Sequence, residues 1–276
     1  MKHINTNTYK LNYFQKGDTT KQPIMVIGSS VYYPRLFEDK IFEALNLIFI
    51  DHRGFARPES EDAGYSLSEV VEDIELIRQD LGIESMYILG HSGHGFMAMA
   101  YAEKYGERVT GIILSNLAPT NTQERQDGSI EYFETTASDE RKNYFYGEIA
   151  KLANEIEADP KNRFSHMNIR MQAHSFYDYQ FDGAYLWDGV ENNMPALDHL
   201  WGEAFATFDT AYFLRNWHKP VLLLLSDFDY LVAPTKLWDD ITEENGLEVT
   251  KFSKSGHNPM LEEPEAYFEA LNKFVK

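Results

Sequence analysis

A serine, an aspartate and a histidine occupy separated turns of the chain and together have the chemistry of a nucleophilic catalyst. Ser92 lies in Ile88-Leu89-Gly90-His91-Ser92-Gly93-His94-Gly95, where an apolar strand breaks on glycines and continues into a helix. A serine on such a turn exposes its hydroxyl at a sheet edge and leaves the next N–H free for an oxyanion. Because serine alone is a poor nucleophile, it needs a base and an acid that orients the base. Asp229, after the apolar strand Val221–Leu225, and His257 in a later turn supply these groups.

The elements that would position these residues alternate between strands and helices. Apolar runs predict strands at 9–14, 23–28, 45–51, 87–89, 111–114, 220–225 and 248–252. Apolar periodicity and capping residues predict helices over 36–45, from an N-cap at Ser68 to near Gly82, after Ser92, over 144–156 and over 264–275. Since most strands are continuously apolar, we expect an α/β fold with a mostly parallel central sheet covered by helices on both faces.

The pattern changes between the strands at 111–114 and 220–225. Residues 117–217 are polar at first, then rich in aromatic side chains, and show no strand pattern. We therefore expect a core formed by residues 1–116 and 218–276, with 117–217 inserted as a mainly helical lid over the carboxyl edge of the sheet.

Composition limits the classes of partner and site. The 276 residues include 25 Lys and Arg against 44 Asp and Glu, a formal net charge of −19. Such a surface repels nucleic acid and anionic lipid, so neither is expected as a partner. The absence of cysteine excludes disulfides, a thiolate nucleophile and cysteine-ligated metals. With no apolar leader and no stretch long enough to span a bilayer, a cytoplasmic location is expected, and the charge fits a monomer or a dimer.

Four motifs carry a family resemblance. They are Gly90-His91-Ser92-Gly93-His94, Asp229 before Tyr230-Leu231-Val232-Ala233-Pro234, Ser255-Gly256-His257-Asn258-Pro259, and Asp51-His52-Arg53-Gly54-Phe55-Ala56-Arg57-Pro58. The chain resembles serine hydrolases of the α/β-hydrolase superfamily, of the lidded type that includes proline iminopeptidases and related esterases. The resemblance covers residues 8–116 and 218–276. It implies the α/β-hydrolase fold, catalytic Ser92, Asp229 and His257, and no metal or organic cofactor.

The chain departs from the family pattern at several of these motifs. His94 replaces the final glycine of Gly-x-Ser-x-Gly, which is displaced to Gly95. Either Gly93 and Gly95 relieve the crowding around His94, or His94 reaches towards the pocket or a carboxylate. Asp227 is an alternative to Asp229 as the catalytic acid.

The oxyanion hole differs as well. The family places a His-Gly pair before one backbone donor, and here the pair is Ile27-Gly28. The resemblance then implies the N–H groups of Ser29 and Gly93 as donors, with Ser30 or Val31 as alternatives to Ser29.

The predicted lid contains a segment that is both acidic and aromatic. Between Met171 and Thr210 there are seven acids, nine aromatics and no lysine or arginine. Aromatic rings beside carboxylates can bind an ammonium group, and proline iminopeptidases similarly use lid carboxylates for the substrate amine. Candidate substrate-binding residues are Glu203, Glu191, Trp201 and Trp187. Alternatively, the aromatics pack the lid while the acids face water.

Three functions are compatible with this sequence. The first is a serine hydrolase that cleaves a small-molecule ester, lactone or amide through an acyl-enzyme. The second is an aminopeptidase of the proline iminopeptidase type, acting on a short peptide. The third is a non-catalytic ligand receptor on the same fold, which would not require a complete triad.

Overall fold

The computed structural model describes residues 1–275 and has one eight-stranded sheet at its centre. The strand order is β1-β2-β4-β3-β5-β6-β7-β8; β2 pairs antiparallel with β1 and β4, and the other pairs are parallel. The strands are β1 (Lys2–Asn5), β2 (Lys10–Gly17), β3 (Pro23–Gly28), β4 (Asn46–Asp51), β5 (Met86–His91), β6 (Val109–Ser115), β7 (Val221–Ser226) and β8 (Glu248–Phe252). The sequence predicted all of these except β1, which is short and mostly exposed.

Helices cover both faces of this sheet. The α-helices of residues 1–275 are α1 (Leu67–Asp80), α2 (His94–Lys104), α3 (Gln123–Thr136), α4 (Asp139–Ile149), α5 (Leu152–Ala158), α6 (Arg163–Arg170), α7 (Gln172–Ser175), α8 (Met194–His199), α9 (Thr210–Asn216), α10 (Asp239–Asn245), α11 (Pro259–Glu262) and α12 (Pro264–Phe274). Along a strand, side chains alternate between the two faces. In β4, Ile48 and Ile50 pack in the apolar layer of α1 and α2, whereas Leu47 and Phe49 pack in that of α12. Burial of both faces explains the continuous apolar runs.

Three predicted helices differ from the structure. The segment 36–45 forms two short 3₁₀ helices, Tyr33–Leu36 and Asp39–Glu43. Between them the extended Phe37 reaches Phe49 and Tyr267, with ring centroids 5.7 and 6.1 Å away, so tertiary packing outweighs the helical pattern.

The other two differences are in helix boundaries. The N-cap of α1 is Ser66 rather than Ser68, because Ser66 forms a reciprocal capping box with Glu69. The helix predicted over 144–156 is divided between α4 and α5. Arg170 binds Glu148 of α4 and Glu155 of α5 and thereby ties the two helices together.

The segment between β6 and β7 contains α3–α9 and, within the described residues, no strand. Its last helix, α9, packs against α2 through Phe213 and Leu214 in the core. The domain boundaries at 117 and 217 remain predictions. No helix within residues 1–275 combines the length and apolarity needed to cross a bilayer.

Candidate active site

Ser92 follows β5 in a strained turn at the carboxyl edge of the sheet. Its φ of 56° lies in the left-handed region, which non-glycine residues adopt at a cost. The Ser92 N–H donates to the Ser115 carbonyl at 2.9 Å, and this bond fixes the turn to the end of β6. A Cβ added to Gly90 would lie 2.5 Å from the Gly95 Cα. The start of α2 thus lies so close to β5 that position 90 has no room for a side chain, and a Cβ at Gly95 would clash with Leu117 Cδ1. The contact with Gly90 is made by backbone atoms of residues 94 and 95, so it does not exclude a histidine at position 94.

His257 and Asp229 lie together at the same edge. The distance between His257 Nδ1 and Asp229 Oδ2 is 2.8 Å, and the Asp229 side chain is 0% exposed. Asp229 Oδ1 accepts a bond from the Leu231 N–H at 3.1 Å. Asp227, the alternative acid, is exposed instead. Asp229 is thus the carboxylate placed to orient the His257 ring.

Asn116 was missed by the sequence reasoning and joins the acid to the histidine loop. Its Nδ2 donates to Asp229 Oδ2 at 2.9 Å and to the Gly256 carbonyl at 3.1 Å. Its φ is 47°, a region that asparagine tolerates better than most residues. Its place in the sequence could have indicated it, because Asn116 directly follows β6 just as Ser92 directly follows β5.

A cavity of about 200 Å³ opens beside Ser92 and His257. Its lining is mainly aromatic and aliphatic: Tyr32, Tyr33, Phe55, Phe96, Leu117, Ala118, Phe164, Met167, Trp187, Trp201, Leu231 and Val232. Among the described residues that line it, none is an aspartate or a glutamate. A carbonyl compound in this cavity would have a hydroxyl and an imidazole beside it.

Two backbone N–H groups near the cavity have no acceptor within residues 1–275. Gly93 lines the cavity at the N-terminus of α2, where the first helical N–H groups lack partners. Ser29 is buried after β3 and is not itself part of the lining. Ser30 donates to Asp51 at 2.6 Å and Val31 to the Ser29 hydroxyl at 3.2 Å, so neither alternative N–H is free.

The predicted lid residues divide into two groups. Trp187 and Trp201 line the cavity, and their binding of substrate remains a prediction. Glu191 and Glu203 do not. The Glu191 carboxylate is bound by Arg57, the Glu203 carboxylate by His199, and the Glu203 side chain is 77% exposed. Solvation and surface pairing hold both carboxylates away from the cavity, so the expectation that they bind substrate is corrected.

A chain of hydrogen bonds under the cavity, the histidine–tyrosine network, consists of His52, His94, Tyr33 and His91. The Gly54 N–H donates to His52 Nδ1 at 2.9 Å, so the proton of a neutral His52 is on Nε2. That N–H then donates to His94 Nε2 at 3.1 Å, which leaves His94 protonated on Nδ1. His94 Nδ1 lies 2.9 Å from both the His91 carbonyl and the Tyr33 hydroxyl.

The network ends on the candidate base. The Tyr33 hydroxyl donates to His91 Nδ1 at 3.0 Å, and His91 Nε2 donates to the His257 carbonyl at 2.7 Å. Burial lowers the pKa of His94 to about 4 and those of His52 and His91 well below the usual range. A neutral His91 positions the His257 backbone without adding a charge that would oppose protonation of its ring. His94 reaches the cavity, but its partners are rings and a carbonyl rather than a carboxylate.

Glu262 connects the His257 loop to the inserted segment. Its carboxylate accepts bonds from the Gly256 N–H and the Tyr177 N–H, both at 2.7 Å. Burial raises the pKa of Glu262 to about 7. The His257 N–H in turn donates to the Ser175 carbonyl at 2.6 Å. The candidate base is therefore held from the inserted segment as well as from the sheet.

No group of three or more histidine and acidic side chains within the described chain is arranged to hold a metal ion.

Comparison with known proteins identifies the family. The α/β hydrolase fold family matches residues 26–264. The chain belongs to the α/β-hydrolase family. This α/β hydrolase is 48% identical to the AB hydrolase superfamily protein YclE of Bacillus subtilis (strain 168) over 259 residues, 92% of this chain and 91% of YclE.

Two further similar proteins have names that state an activity. The α/β hydrolase is 26% identical over 241 residues to the proline iminopeptidase PfmaB of Pestalotiopsis fici, covering 85% of this chain and 83% of the relative. The esterase EaEST of Exiguobacterium antarcticum superposes with a TM-score of 0.69 at 20% identity, covering 97% of this chain and 96% of that one. The protein is thus an α/β-family hydrolase that has proline iminopeptidases among its relatives and shares its fold with an esterase.

Proposed function

We propose that the protein is a serine hydrolase that cleaves a small carboxylic ester through an acyl-enzyme. His257 takes the proton of the Ser92 hydroxyl as Ser92 Oγ attacks the ester carbonyl, and Asp229 stabilises the imidazolium. The proton passes to the departing alkoxide as the bond between carbonyl carbon and ester oxygen breaks. Water activated by His257 then hydrolyses the acyl-enzyme and restores Ser92.

The N–H groups of Gly93 and Ser29 are the proposed oxyanion donors. Each such donor contributes roughly 3 kcal/mol to stabilisation of the transition state. Ser29 Oγ accepts bonds from the N–H groups of Val31 and Tyr32 at 3.2 Å, which shapes the loop. The Ser29 N–H has no acceptor among the described residues. This loop replaces the family's His-Gly arrangement.

The charge of the cavity lining is the observation that favours an ester over a substrate with a free amine. An aminopeptidase must bind a substrate ammonium, and buried cations require a counter-charge. Within residues 1–275 the lining offers no carboxylate, and it contains Arg125, which would repel an amine. The apolar walls suit an acyl chain or an uncharged alcohol instead.

The test compares hydrolysis of p-nitrophenyl butyrate with that of L-prolyl-p-nitroanilide. We expect turnover of the ester, little turnover of the anilide, and loss of ester turnover in Ser92→Ala. Ser253→Ala is the matched control, because Ser253 is exposed on the surface. Preferred turnover of the anilide would instead establish an aminopeptidase, and no turnover of either substrate would favour a non-catalytic receptor.

A further inference from the structure

Arg125 is the one lysine or arginine among the described residues that line the cavity. It is the third residue of α3, in the first turn. A positive charge there interacts unfavourably with the helix dipole. Its position in the helix therefore gives Arg125 no stabilisation, and the charge must be compensated by other groups.

Two buried arginines of this protein each bind a carboxylate, whereas a third, Arg141, donates to backbone carbonyls. Arg53 presents its Nε and Nη2 to Asp73 at 2.6 and 2.9 Å. Arg78 presents the same edge to Glu75 at 2.8 and 2.7 Å. This two-donor edge matches the two oxygens of a carboxylate.

Arg125 has no carboxylate on that edge within residues 1–275. Nη1 donates to the Leu231 carbonyl at 3.0 Å and to the Ser129 hydroxyl at 3.3 Å, and Nη2 donates to the Asn121 side-chain oxygen. Nε is buried without a hydrogen-bond partner. Burial lowers the pKa of Arg125, and only the more distant Asp229 opposes this shift. Arg125 is half-buried, and its charge has no carboxylate partner within residues 1–275, so an anionic group beside it in the cavity would be stabilised.

We propose that Arg125 binds a carboxylate group of the substrate, so that the preferred substrate is an ester bearing a second, ionised carboxyl group. This inference rests on the proposed esterase function. The polar residues Thr120 and Asn121 also line the cavity, and the Asn121 side-chain oxygen accepts a bond from Arg125. The carboxylate takes no part in bond breaking; it fixes the ester relative to Ser92.

The experiment compares methyl hydrogen glutarate with its neutral isostere, methyl 4-carbamoylbutanoate, as substrates of the full-length protein. Hydrogen bonds between charged groups contribute about 1.5–3 kcal/mol, so kcat/KM should favour the acid by roughly ten- to a hundredfold. In Arg125→Met this ratio should fall to about one or below, and in Arg125→Lys it should partly recover. Arg57→Met is the control, since it removes an equal charge from a side chain that is 80% exposed.

The ratio of the two substrates separates binding from support of the fold. Loss of the Leu231 bond would lower both rates together and leave the ratio unchanged, and that result would overturn the proposal. A wild-type ratio near one, or a preference that survives in Arg125→Met, would also overturn it.

Binding without turnover distinguishes failure of this proposal from failure of the esterase assignment. Calorimetry with Ser92→Ala should detect the glutarate monoester and much weaker binding of the amide. If the wild type hydrolyses no ester, but tighter binding of the acid than of the amide persists and depends on Arg125, the anion site stands and the esterase assignment fails. Equal binding of acid and amide would contradict the anion site itself.

Discussion

The floor and the roof of the cavity satisfy their polar groups in different ways. The floor is formed by core residues: Tyr33, His91, Ser92, His94 and His257. Its rings form a continuous series of hydrogen bonds that ends on the His257 backbone. The roof is formed by residues of the inserted segment: Arg125, Phe164, Met167, Trp187 and Trp201. The inserted segment also contributes the polar Thr120, Asn121 and Asn168, and within residues 1–275 its one cationic group is a guanidinium with an unsatisfied donor.

This difference separates two tasks within one cavity. A network whose donors and acceptors are all matched fixes geometry, and accurate geometry is what proton transfer and nucleophilic attack require. A roof with an uncompensated charge gains most from a ligand that supplies the counter-charge. We therefore expect substitutions in the floor to slow all substrates alike and substitutions in the roof to change the ratio between substrates. Arg125→Met tests the roof. The following predictions test the floor and Asn116, which supports it through Asp229 and the Gly256 carbonyl.

The largest effect is expected for His257→Gln. Removal of the base should lower kcat for every ester about 10⁴-fold or more, because members of a triad act as a unit. Rates of p-nitrophenyl butyrate hydrolysis measure the loss, with His218→Gln as a control at an exposed histidine. An effect confined to one substrate would contradict the division between floor and roof.

A smaller, still uniform effect is expected for Asn116→Gly. Glycine keeps the left-handed backbone and removes both side-chain bonds, to Asp229 and to the Gly256 carbonyl. Loss of a bond to a charged group should lower kcat ten- to a hundredfold, with little change in KM. Asn116→Ala adds backbone strain and should also lower the urea midpoint. If Asn116→Gly raised KM alone, Asn116 would act on binding rather than on the acid.

The smallest effect concerns the dependence of stability on pH. Burial holds the pKa of His94 at about 4 against an ordinary value of 6.5, so the unfolded chain binds more protons between these values. The stabilisation is therefore complete above pH 6.5 and is lost as the pH falls. Between pH 7.5 and 5 the wild type should lose about 2 kcal/mol more than His94→Gln, as measured by urea unfolding. Equal slopes for the two proteins would show that His94 is not held neutral.

The sequence predicted the sheet well because its strands are buried on both faces and leave continuous apolar runs. It also singled out Ser92, Asp229 and His257 as candidates, since each lies in a turn marked by glycines or by its position after a strand, and the structure places all three at one edge of the sheet. Their catalytic roles remain a prediction. The short 3₁₀ helices at 33–43 were missed because packing of Phe37 against rings distant in sequence overrides local periodicity.

The roof was harder to predict. Glu191 and Glu203 were chosen for their charge and their aromatic neighbours, but only folding decides which side chains of a segment face the cavity. Arg125 and Asn116 carry no local motif; their importance comes from what the fold places beside them. The histidine–tyrosine network likewise joins residues from four separate segments, and no spacing in the sequence reveals it.

The most direct test of the central claim is covalent labelling of Ser92 by a fluorophosphonate, followed by mass spectrometry of the whole chain and of its peptides. The claim predicts one adduct per chain, located on Ser92, and strongly reduced labelling in His257→Gln, because the nucleophile depends on its base. The absence of an adduct, or an adduct on another serine with Ser92 unmodified, would contradict the assignment of Ser92 as the nucleophile.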